Sequence, residues 1–109
     1  MSIRVLSSVT GAQSSDPVNV NPPAATALVD RGRAKTLEAV AVGTFTNNVL
    51  IIETQNDPAL DSGEWVAAAT GAASAKSAQV SKTGAAYARV RTTGTAGPYS
   101  VDLIVSPNY

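Results

Sequence analysis

Cysteine and histidine are both missing from this 109-residue chain. Their absence excludes a disulfide scaffold, a structural zinc site, a thiol nucleophile and an imidazole base. The serines therefore have no partner for a hydrolase triad, and no glycine-rich phosphate loop of the P-loop or dinucleotide type occurs. An excess charge of one sign is missing too. Eight basic residues balance eight acidic ones, which opposes binding to nucleic acid or an anionic membrane, because phosphate attraction needs surplus Lys and Arg. No apolar run approaches the roughly 20 residues that cross a bilayer, and Met1 to Leu6 lacks the apolar stretch of a secretory signal. The expected product stays in the cytoplasm until it enters an assembly. Aromatics are scarce as well, at 5% of the chain with one Phe and one Trp. The apolar content rests largely on Ala and Val, so the core should be thin. Oligomerisation or docking on a larger surface would supplement its stability.

What is present alternates with a period of two. In Ile3 to Val9, the side chains of Ile3, Val5 and Val9 share one side of an extended segment, with Arg4 and Ser8 on the other. Thr10 to Ala25 holds three prolines and many small polar residues, which oppose helix and central strand alike. It reads as an extended arm, spanning roughly 45–50 Å at about 3.1 Å per residue, or as a loop folded back over its own domain. Residues 27–29 suit a short edge strand and residues 30–33 a turn. Val40, Val42 and Gly43-Thr44-Phe45 predict a strand running into a hairpin at Asn47-Asn48, since Asn tolerates positive φ. Val49 to Thr54 opens with four branched apolar residues, as a strand covered on both faces does.

After a loop rich in turn formers, Glu64-Trp65-Val66-Ala67 restarts a strand. Thr70 to Ser77 is rich in Ala, Gly and Ser and allows a short helix that Gly71 weakens. Ala78 and Val80 then point one way. Ala86, Ala88 and Val90 share a face, with Tyr87, Arg89 and Arg91 opposite; Tyr99, Val101, Leu103 and Val105 point inward on the last strand. Six to eight short strands with regular turns imply an all-β fold, a small antiparallel β-sandwich or barrel of jelly-roll or immunoglobulin-like type. The division expected is residues 1–34 as strand and extended N-terminal arm, and 35–109 as sandwich.

Few residues suggest chemistry. Asp57, Asp61 and Glu64 could supply oxygen ligands to calcium but lack a regular ligand ladder, so a solvated acidic loop is the ordinary reading. Nothing raises one carboxylate above another for acid–base work; neither enzyme activity nor a metal or cofactor is expected. Tyr87, Arg89 and Arg91 form an outward stripe that could meet a partner carboxylate or sugar, or pair with an acidic residue across the sheet. Trp65 is a sugar platform or an inter-sheet plug. Tyr109 is a candidate docking residue.

Val40-Ala-Val-Gly43-Thr-Phe45, the Val49 to Glu53 strand, Asp61-Ser-Gly63-Glu-Trp65, Tyr87-Ala-Arg-Val-Arg91 and the strand from Tyr99 to Val105 together resemble small β-sandwich proteins of tailed bacteriophage virions. The likeness spans residues 36–105. It departs where the turn reads Asp-Ser-Gly and where Pro58-Ala-Leu60 is inserted. It implies a capsid decoration (cement) protein on the virion surface, sitting as a homo-oligomer, with a trimer favoured, over junctions of the major capsid protein. On that reading residues 1–34 make oligomer or capsid contacts, through Ile3, Val5, Val18, Val20, Pro22 and Pro23. The alternative is a carbohydrate-binding or adhesin module using Trp65, Tyr87 or Tyr99, and a third is an accessory domain of an enzyme.

Overall fold

Pairing of complementary strands organises the whole molecule. The computed structural model describes residues 2–20, 35–55 and 64–107. Its strands are β1 (Ser2–Val9), β2 (Val18–Asn19), β3 (Lys35–Gly43), β4 (Val49–Gln55), β5 (Val66–Thr70), β6 (Ser77–Thr83), β7 (Tyr87–Thr93) and β8 (Tyr99–Pro107). The first half of the chain pairs antiparallel with the second: β1 with β8, β2 with β7, β3 with β6 and β4 with β5. The ribbon then rolls, so that β8 also meets β3 and β7 meets β4. Two four-stranded sheets result, β1-β8-β3-β6 and β2-β7-β4-β5. This is a jelly-roll sandwich. The strand expected at 27–29, the turn at 30–33 and the loop at 56–63 lie outside the described residues.

The core is the layer between the sheets. β4 supplies Leu50 and Ile52, β7 supplies Ala88 and Val90, and β8 supplies Val101 and Leu103, all fully buried. Each large side chain among them contributes roughly 1.5–3 kcal/mol relative to exposure. On β3 the buried row is Leu37, Ala39 and Ala41, while Val42 stands half-exposed on the outer face. Small residues suffice there because Val105, Leu103 and Val101 lie directly opposite on β8. Phe45 closes one end of the core, packed edge-on against Tyr99 at 5.0 Å.

Three expectations need correction. First, Asn47-Asn48 is no hairpin, because β3 and β4 belong to different sheets. The chain leaves β3 at Gly43, whose φ is +107° and whose missing side chain would stand 2.6 Å from the Pro98 carbonyl. It then crosses the sandwich, and the buried Asn48 amide holds Ala96 through both its nitrogen, at 3.2 Å, and its oxygen, at 3.3 Å. Second, β1 does not alternate simply. Two irregularities, one on either side of Leu6, place Ile3, Leu6 and Val9 opposite the inward residues Leu103, Val101 and Tyr99. Leu6 takes the buried place, and Val5 is only partly buried against the core. Third, residues 71–76 form a turn and no helix.

The segment from Thr10 to Val20 is folded back on its own domain. Gln13 exchanges hydrogen bonds with Thr92, and Ser15 exchanges them with Val90: Thr92 N–H donates to the Gln13 carbonyl at 2.8 Å, and Ser15 N–H to the Val90 carbonyl at 2.8 Å. The Ser15 hydroxyl accepts from Val90 N–H at 2.9 Å. Beneath them, the buried Tyr99 hydroxyl donates to the Gly11 carbonyl at 2.5 Å. Its single proton is thereby used, so the Thr92 hydroxyl is the donor in the Thr92–Tyr99 contact.

Candidate functional site

Alternation along β7 turns Ala88, Val90 and Thr92 into the core and sends Tyr87, Arg89 and Arg91 to the outer face of the β2-β7-β4-β5 sheet. On the neighbouring strand, Ile51, Glu53 and Gln55 stand opposite Arg91, Arg89 and Tyr87 in register. Directly opposed residues share a face and lie close enough to interact. Glu53, only 9% exposed, therefore receives both guanidinium groups: Arg89 Nε donates to Oε1 at 2.8 Å and Arg91 Nε to Oε2 at 3.2 Å. Arg89 also lies over the Trp65 ring, 4.4 Å from its centroid, in a cation–π stack.

Both uses foreseen for the stripe bear on this geometry. Cross-strand pairing with an acidic residue is present, and it immobilises the arginines without neutralising them, since two positive charges share one negative. Trp65 is neither inter-sheet plug nor open platform: it is half-buried on the outer face with Arg89 across its ring. Beside Arg91 lies a shallow groove of about 270 Å³, lined by Ala12, Gln13, Ser14, Arg91, Thr92 and Thr93. Its far wall is the folded-back segment, joined to β7 by the Ser14–Arg91 bridge.

The outer face of the other sheet is different. Arg4 and Asp102 form a one-to-one pair at 2.5 Å, and the hydrogen bond to Asp102, then charge attraction, pushes the Arg4 guanidinium up from its ordinary value. Val40, Val42 and Glu38 share this face, and none of its described residues is aromatic.

The remaining candidates are scattered. Ile3 is half-buried opposite Leu103, and Val5 and Val18 pack partly against the core. Val20 is 3% exposed within the core, so its side chain is occupied by its own domain. Pro22, Pro23, Asp57, Asp61 and Tyr109 lie outside the described residues, and Glu64 is exposed. Among the described residues no group of three acidic side chains is placed to hold a metal ion. Tyr99, named as one stacking face, is a core residue at 1% exposure.

Two members of the cluster, Glu53 and Trp65, were not joined to the arginine stripe by sequence reasoning. The signal was available: Glu53 is the one charged residue of β4 and directly follows four branched apolar residues, and a buried charge requires a partner.

No protein-family model and no curated protein matches this chain. Among solved structures it superposes on the crystal structure of the SPBc2 prophage-derived protein YomS with a TM-score of 0.67. The match covers 97% of this chain and 92% of that chain at 13% sequence identity. At that identity the likeness is one of fold.

Proposed function

We propose that this protein is a non-enzymatic structural component of a tailed-bacteriophage particle, a decoration protein that binds the capsid surface at junctions between major capsid subunits. The observation that carries the reading is the end-to-end likeness of its sandwich to a prophage-derived protein. A second consideration supports it. The developed surface feature is a contact patch of Trp, Arg and Glu on a sheet face, and the groove beside it is shallow and polar. Interfaces concentrate their binding energy in such Trp, Tyr and Arg anchors.

A domain this small binds a particle firmly when several copies act together, because linked weak contacts combine through effective concentration. A homo-oligomer, with a trimer as the expected order, fits that requirement. The carbohydrate-binding alternative draws less support, since one face of Trp65 is covered by Arg89 and Tyr99 is buried.

The test uses heads of the encoding phage that lack this protein. Added purified protein should co-sediment with them to saturation and form regular density at subunit junctions in cryo-electron micrographs. Absence of binding to heads, or recovery of the protein in tails alone, would overturn the assignment. Sedimentation equilibrium of the free protein measures the oligomer order.

A further inference from the structure

We infer that the protein docks through the outer face of the β2-β7-β4-β5 sheet, where Arg89 and Arg91 together receive a carboxylate group of a protein partner. The inference rests on the structural-protein reading above and adds the face and the chemistry of the contact.

Edges are poor candidates for docking. Strand addition needs a regular edge with unpaired backbone groups. β1 carries two register breaks, β5 one at Ala68 and β6 one near Ser81, and β2 has two residues. Each described edge strand is thus broken or short, which leaves the faces.

Of the two faces, this one carries the surplus of positive charge, two guanidinium groups against one carboxylate, whereas the other sets Asp102 and Glu38 against Arg4. Arg89 and Arg91 are two residues apart on one strand, so their backbones stand roughly 6.6 Å apart at about 3.3 Å per residue. Each spends its Nε–H on a separate oxygen of Glu53, and among the described residues neither makes a further hydrogen bond. Every guanidinium has five N–H donors, so the terminal nitrogens of both remain to bind. Glu53 offers no free oxygen to compete. Arg89 is fixed by Trp65 below it, which lowers the ordering cost of binding.

A carboxylate presents two coplanar oxygens and suits such donors. A nucleic-acid backbone does not suit this face, because phosphate binding needs many cations and the chain is neutral overall. The groove along Gln13, Ser14 and Thr93 would admit the segment that bears the acid.

Two measurements test this. In the first, Arg91→Gln is compared with the parent for binding to protein-deficient heads, with Arg4→Gln on the opposite face as control and thermal unfolding as the check on folding. A loss of tenfold or more for Arg91→Gln alone supports the inference; parental affinity, or an equal loss for Arg4→Gln, overturns it. In the second, the arginine Nε–Hε resonances are followed by NMR while a six-residue oligoglutamate is added. Shifts confined to Arg89, Arg91 and the Trp65 indole support the assignment. No shift, or an equal response to a six-nucleotide oligothymidylate, overturns it. If the parent fails to bind heads, the proposed function falls and the peptide titration decides the inference alone.

Discussion

Replacing Tyr99 by Phe removes one oxygen atom and leaves the ring, its volume and its edge-on contact with Phe45 in place. The hydroxyl donates to the Gly11 carbonyl and accepts from Thr92, so two hydrogen bonds disappear together. Each contributes about 0.5–1.5 kcal/mol net, and a buried group left unpaired costs about 1–3 kcal/mol. Thr92 retains Gln13 N–H as a donor at 3.0 Å and the Gln13 carbonyl as a long acceptor at 3.4 Å, which softens the loss on that side. The expected destabilisation is about 1–3 kcal/mol, a fall in Tm of roughly 5–15 °C for a domain of this size. Urea unfolding followed by circular dichroism measures it, with an unchanged m-value. Thr92→Val in the Tyr99→Phe background should cost less than Thr92→Val alone, because the partner it would orphan has already gone. Hydrogen exchange at Gly11 and Gln13 should quicken first. Stability within about 0.3 kcal/mol of the parent, together with a coupling energy of zero, would refute the role given to this network.

Four further outcomes are expected. Glu53→Gln leaves Arg89 and Arg91 facing each other without a shared anion, and should cost about 1–2 kcal/mol by urea unfolding, with the Arg91 share reduced by solvent screening. Gly43→Ala forces a side chain to 2.6 Å from the Pro98 carbonyl at a φ of +107°, so it should destabilise by about 2 kcal/mol or more and lower the yield of soluble protein. Arg4→Ala breaks an exposed pair and should leave the unfolding midpoint unchanged at physiological salt, where such pairs are screened. Removing residues 2–20 takes away β1, β2 and the core residues Leu6 and Val20. The product should lose its cooperative transition, and a truncated chain that melts like the parent would contradict the assignment of these strands to the sandwich.

The same N-terminal strands are where the sequence misleads. β7 and β8 were legible because their apolar residues follow the strand period without interruption, Tyr99, Val101, Leu103 and Val105 all being buried, as are Ala88 and Val90, and β4 because its unbroken apolar run marks a strand covered on both faces. β1 was not, because a bulge adds a residue and shifts the period, so that Leu6 displaces Val5 from the core. Residues 10–20 carry one proline and small polar side chains, yet they are held largely by backbone donors and acceptors that side-chain composition does not reveal. Composition identified an irregular segment and left open which of its two resting places it takes. The Asn47-Asn48 turn was located correctly and misread in kind. Positive φ at Asn47 serves a crossover as well as a hairpin, and only long-range partners such as Ala96 distinguish them.

The candidate face follows from the same limits. Period two places Tyr87, Arg89 and Arg91 on one side of a strand, but it does not say which carboxylate crosses to meet them. Register does: β4 and β7 align so that Glu53 falls opposite Arg89, and a one-residue slip would turn that carboxylate into the core. The slip is forbidden by the Leu50 and Ile52 side chains, which would then face solvent. Core packing thus fixes the register, the register places one acid under two bases, and the local surplus of positive charge on a molecule neutral overall is an outcome of the hydrophobic pattern. A variant that keeps Arg89 and Arg91 while perturbing the register should therefore lose the docking face as well as stability.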